Sequence, residues 1–197
     1  MVNKMNIRKR TKINKLVLSA MLLAIGLLLP FLTGQLQQFG NMLLPMHIPV
    51  MLCGLICGQW YGLTIGFILP LMRSGLFGMP VFFPNAVSMA FELATYGFVI
   101  GLLFNHAKWK CIRSLYRCLI ISMLSGRIVW GMAQALLIAV SGGIFTPEMF
   151  ITSAFVNAVP GIILQLVLIP SIMLVLHKTH LVPFGKNNHR SVKADAE

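Results

Sequence analysis

Arg73, Glu92 and Arg127 each stand inside a long apolar stretch of this sequence. An ionised group at the centre of a membrane helix costs about 3 kcal/mol even on lenient insertion scales. It persists where it pairs with another charge or faces a polar cavity. Asn85, Gln134, Asn157 and Gln165 share those stretches, and His47 stands at the start of one. Glu92 is the single acid among them, so two guanidiniums face one carboxylate. One reading is an ion-pair lock, in which Glu92 joins Arg73 or Arg127 and holds helices together. The other is a binding site. The surplus guanidinium would be relieved by a bound anion, and its planar donor fork suits a carboxylate or phosphate. Trp130 lies three residues after Arg127, on the same helical face, either to stack on a ligand ring or to pack. His47 is either a polar helix-start residue or a ligand contact.

The elements that carry these residues follow from composition. The chain has 197 residues, 57% hydrophobic and 10% charged. A soluble domain carries about 25% charged residues, so most of this surface must face lipid. Helices or closed barrels alone satisfy the backbone there. The apolar runs are continuous, as in Leu16 to Leu29, without the period-two alternation of a barrel strand. Helices are expected near 13–34, 47–60, 61–78, 83–105, 117–141 and 149–177. The pair over 47–78 is either two short spans turning at Gly58 to Gly62 or one broken segment. Pro70, Pro80 and Pro84 punctuate the passage to the fourth helix. Gly142 and Gly143 precede the sixth, with Thr146 as a plausible N-cap and Pro147 in the first turn.

Fourteen of the sixteen Lys and Arg residues fall in the N-terminal segment, the loop between helices four and five, and the C-terminus. The positive-inside rule then predicts an all-α membrane protein of six transmembrane helices, with N- and C-termini cytoplasmic. Residues 1–12 form a basic cytoplasmic N-terminus, 13–180 the transmembrane domain, and 181–197 a polar tail that reads as disordered from Lys186. The basic, then apolar N-terminus lacks a clear signal-peptide cleavage site and is kept as a first helix. At about 1.5 Å per residue, Arg73, Glu92, Arg127 and Asn157 fall at mid-membrane or in its outer half. His47 falls at the outer mouth of helix two. The polar residues converge on a zone that opens outward.

The net charge of +12 would suggest nucleic acid in a soluble protein. Here the basic residues sit at the cytoplasmic ends of helices, so no nucleic-acid partner is expected. The four cysteines stand singly among apolar residues, with Cys53 and Cys57 four apart, unlike redox or zinc spacing. No metal or other cofactor is expected. The phosphate-cradling Gly-Lys-Ser/Thr loop and the Gly-x-Ser-x-Gly elbow are absent, and one buried carboxylate cannot make an acid/base pair. No catalytic residue is expected. Ala20 and Ala24, Ala86, Ala90 and Ala94, and Ala135 and Ala139 form small-residue rows that let helices approach closely.

Several segments together resemble a known family. They are Leu44-Pro-Met-His-Ile-Pro-Val50 with Gly54 and Gly58, Arg73-Ser-Gly-Leu-Phe-Gly-Met-Pro80 and Ala90-Phe-Glu-Leu-Ala-Thr-Tyr-Gly97. Gly126-Arg-Ile-Val-Trp-Gly131 and Asn157-Ala-Val-Pro-Gly161 complete the set. With six helices and the alanine pair of helix one, they are similar to the substrate-binding S components of energy-coupling factor (ECF) transporters. The resemblance runs over about residues 13–177 and implies a bacterial cell-membrane subunit. Such a subunit binds a vitamin from outside at high affinity, in a pocket roofed by external loops, and has no ATPase of its own. It implies a transmembrane T component and two ATPase subunits as partners, with Ala20 and Ala24 at the T-component contact. It also implies toppling of the subunit in the membrane to release substrate inward.

Expected substrate-binding residues are His47, Arg73, Asn85, Glu92, Arg127, Trp130 and Asn157. Surplus positive charge favours a small acid such as pantothenate, held by Arg73 or Arg127. A pyridoxine- or hydroxymethylpyrimidine-type ligand stacked on Trp130 or Phe91 is the alternative. A structural protein with an Arg/Glu helix lock and a self-sufficient secondary transporter are the readings from other classes.

Overall fold

A computed structural model describes residues 2–32, 45–107, 109–143, 158–178 and 185–186, with Thr146, Glu148, Phe150 and Thr152. The architecture is helical: α1 (Val2–Leu32), α2 (His47–Ile56), α3 (Gln59–Phe77), α4 (Val87–His106), α5 (Ile112–Val140) and α6 (Val159–Lys178). A π-helical turn, Phe82–Ala86, leads into α4. Among the described residues, four stretches are long and apolar enough to cross a membrane: Lys12–Pro30, Phe82–His106, Ile112–Val140 and Val159–His177. Gln59, Thr64, Arg73 and Ser74 lower the hydropathy of α3.

α1 begins eleven residues before the expected start at residue 13. Its basic first turns hold good helix formers and no breaker, so the helix runs on past the apolar stretch. The expected loop start of α5 moves from 117 to Ile112 for the same reason. The amide of Phe150 donates to the Thr146 carbonyl at 3.2 Å, the first bond of a helical turn opening where a cap was expected. Pro147 lies outside the described residues. Lys186, the first residue of the tail expected to be disordered, pairs with Trp109 where Gly185–Lys186 runs antiparallel to Trp109–Lys110, and residues 187–197 lie outside the described residues. Backbone hydrogen bonds to the α4–α5 loop hold that dipeptide without any contribution from its side chains.

The 47–78 segment is two helices. A Cβ built on Gly62 would sit 2.8 Å from the Gly54 Cα, whereas a continuous helix would separate these residues by about 12 Å. The chain doubles back at Gly58, whose φ of 110° lies in a region closed to most side chains. α2 has ten residues, about 15 Å of rise, half a bilayer's hydrocarbon core. It runs beside α4 in the same direction, with Gly54 against Gly97 and Gly58 against Asn105. α3 returns antiparallel, with Gly62 against Gly97 and Gly66 against Leu93.

α4 is the centre of the bundle, buried at Leu93, Tyr96, Ile100 and Phe104. α1 packs on the hairpin, where Ser19 Oγ lies 3.5 Å from Cys53 Sγ and Gly26 abuts Leu69. The outer faces remain apolar: Leu16, Met21 and Leu28 of α1, and Ile120, Leu124 and Ile128 of α5, are exposed. Water would not tolerate so much contiguous apolar surface; lipid does.

Candidate functional site

Glu92 is 1% exposed, and one of its oxygens gathers three partners from three helices. Arg127 Nη1 of α5 lies 3.0 Å from Oε1. The Tyr96 hydroxyl, one turn along α4, donates to the same oxygen at 3.0 Å. His47 Nε2, from the first residue of α2, lies 3.6 Å away. The Tyr96 and His47 rings tilt against each other with centroids 5.1 Å apart. Gly126 makes this convergence possible, because a Cβ there would sit 2.5 Å from Tyr96 Cε1. The short α2 accounts for its own part: by starting at half depth it delivers His47, and the positive end of its helix dipole, beside the carboxylate.

His47 therefore does not occupy the outer mouth expected of it. It is 1% exposed, at the depth of Glu92, because α2 is a half-length helix. The two arginines also separate. Arg127 takes Glu92, while Arg73 Nη1 donates to the Leu27 carbonyl of α1 at 3.2 Å. Asn85 lies on the exposed π turn, where its Oδ1 accepts from Gln134 Nε2 at 3.2 Å. Trp130 is half-buried and stacks on Phe150, with centroids 6.2 Å apart and planes 24° from parallel. Asn157 lies outside the described residues. Phe91 does not serve as an inner stacking ring. It is 45% exposed and meets Phe67 edge-on on the outer face, since its neighbour Glu92 takes the inward direction.

Among the described residues, several buried polar atoms have no hydrogen-bond partner: both nitrogens of His47, Arg127 Nε, Gln134 Oε1 and Gln165 Nε2. Each such atom costs about 1–3 kcal/mol if left unpaired, and donors outnumber acceptors among them. His47 and Arg127 stand together at Glu92, so their unused nitrogens could receive hydrogen-bond acceptors of a ligand there. No metal-ligating cluster of His, Cys, Asp and Glu occurs among the described residues. Tyr96 escaped the sequence reading, although its position four residues after Glu92 on the same helical face was a usable signal. Gln134 was legible as a buried polar residue, but its link to Asn85 was not.

A family model described as ECF transporter, substrate-specific component, matches residues 14–173. The chain belongs to this family. The match covers the helical bundle from α1 to near the end of α6, including every charged residue of the candidate site. As an S component, the protein is a membrane transport subunit that binds a substrate, and not an enzyme. No curated protein matches the chain, and no solved structure does.

Proposed function

We propose that this S component is the high-affinity vitamin-binding subunit of an ECF importer in a bacterial cell membrane, and that its substrate is a small anionic vitamin of the pantothenate type. The bundle would span the membrane six times with both termini cytoplasmic, the short α2 covering only the inner half of its crossing and α3 making the next. A T component and two ATPases would complete the importer, the ATPases supplying the hydrolysis. The basic cytoplasmic N-terminus of 1–12, the membrane domain of 13–180 and the tail of 181–197 remain the working division of the chain.

The observation that carries the substrate class is Arg127. Its guanidinium is buried and ion-paired to Glu92, yet its Nε has no acceptor. A ligand carboxylate would give that Nε its acceptor. Glu92 and Tyr96 would orient the guanidinium, while His47, Asn85, Trp130 and Asn157 line the ligand and Arg73 supports the field. A pyridoxine- or hydroxymethylpyrimidine-type ligand is the second reading, favoured by the Trp130–Phe150 ring pair, which a flat heterocycle could extend.

Arg127→Ala alone would strand a buried carboxylate, so loss of binding could reflect misfolding. The paired variant Glu92→Gln with Arg127→Met removes both charges together, and burial of an isosteric neutral pair is often tolerated. This variant should purify as a monodisperse, folded protein and should lose pantothenate binding by isothermal titration. Mass spectrometry of the wild-type protein from cells should find one bound vitamin. Wild-type affinity in the paired variant would remove Arg127 from the site, and a bound B6 vitamer would establish the second reading.

A further inference from the structure

Gln134 is 8% exposed. Its Nε2 is used by Asn85, and its Oε1 is buried with nothing to accept from. The amide is held by its nitrogen so that its oxygen is presented, a demanding arrangement unless a donor arrives. Arg127, Trp130 and Gln134 follow one another on a single face of α5, at i, i+3 and i+7. The seven residues from Arg127 to Gln134 rise about 10 Å along the axis. Asn85, exposed on the π turn, lies beyond Gln134, so polar groups run from the exposed turn inward to the buried guanidinium.

We infer that Gln134, held by Asn85, is a second subsite that reads a hydrogen-bond donor on the far end of the substrate. The substrate is then an elongated molecule, with a carboxylate at Arg127, a middle portion against Trp130, and a hydroxyl or amide N–H at Gln134 Oε1. This inference rests on the anion site proposed above and adds a length and a second polar group to it. Compact acids such as nicotinate reach one subsite only. Pantothenate, an extended acid ending in a hydroxyl, reaches both.

The test is a cycle between protein and ligand, using the full chain in detergent and isothermal titration. The ligands are pantothenate, an analogue in which hydrogen replaces the terminal hydroxyl, and nicotinate; the proteins are wild type and Gln134→Met. Wild type should bind pantothenate about tenfold more tightly than the deoxy analogue, the worth of one hydrogen bond. Gln134→Met should weaken pantothenate by about the same factor and leave the deoxy analogue unchanged. Equal loss for both ligands would reduce Gln134 to a structural residue and overturn the inference. A wild-type preference for nicotinate would overturn it while leaving the anion site standing. Failure of the wild type to bind any of these acids would remove the anion site itself. Equal wild-type affinity for the two pantothenates would overturn the inference even if Gln134→Met does not fold.

Discussion

A single carboxylate oxygen organises the interior of this protein. Glu92 Oε1 takes a guanidinium and a phenol at 3.0 Å each, with the His47 imidazole 3.6 Å away, so three helices meet at it. Tyr96→Phe deletes one hydroxyl and leaves its ring against His47 and Gly126. It should lower stability by about 1.5–3 kcal/mol, a hydrogen bond to a charged acceptor, read as a lower midpoint of thermal aggregation in detergent. Glu92→Gln should cost more, about 3–5 kcal/mol, because it leaves Arg127 buried without its counter-charge. A smaller effect for Glu92→Gln than for Tyr96→Phe would show that the ion pair is not the main tie between α4 and α5. The sequence identifies Glu92 as the acid to explain and offers it two arginines. It does not choose between them, because that choice depends on how α3 and α5 are rotated against α4.

The glycine seam between the α2–α3 hairpin and α4 sets the distances on which that cluster depends. A Cβ on Gly62 would lie 2.6 Å from the Gly97 carbonyl oxygen, so the helices would have to part. Backbone cannot swing aside as a flexible side chain can. Gly62→Ala should therefore destabilise by about 1–3 kcal/mol, the usual penalty for overpacking, and move His47 away from Glu92. Gly75, in the same helix, has nothing within 4 Å of its position for a Cβ. Gly75→Ala should be neutral or stabilising by up to about 1 kcal/mol from helix propensity. Thermal stability of the two variants in detergent makes the comparison, and equal behaviour would remove close packing as the function of the seam. Glycines at 54, 58, 62 and 66 are visible in the sequence at four-residue spacing. That two of them meet Gly97 from a hairpin is a tertiary result.

For the whole molecule, the exposed face of α1 is the surface where the family resemblance places a partner. Ala20 and Ala24 are both exposed there, between Met21, Ile25 and Leu28. Replacing both alanines with tryptophan should abolish co-purification with a T component and its ATPases while leaving vitamin affinity unchanged. Retained association would place the partner on another face. The same reading puts both termini in the cytoplasm, so a fluorescent-protein fusion at the C-terminus should fluoresce and a phosphatase fusion there should be inactive. The opposite pattern would require an odd number of crossings or an inverted bundle.

What the sequence by itself determined is what one-dimensional patterns carry. Long apolar runs set a helical membrane protein, because lipid allows a chain few ways to satisfy its backbone. The spacing of motifs set the family, and the rarity of charge within the runs marked the residues worth explaining. Only the tertiary structure decided the pairing of Glu92 with Arg127, the turning of Arg73 to the Leu27 carbonyl, and the depth of His47. It also linked Gln134 to Asn85. These contacts join residues far apart in the chain, and they follow from helix rotation, helix length and glycine-limited spacing. None of these is encoded at the position of the residue concerned. The half-length α2 shows this most clearly: residues 47–60 read as a membrane span, and packing against α4 makes of them a ten-residue helix that begins beside a buried carboxylate.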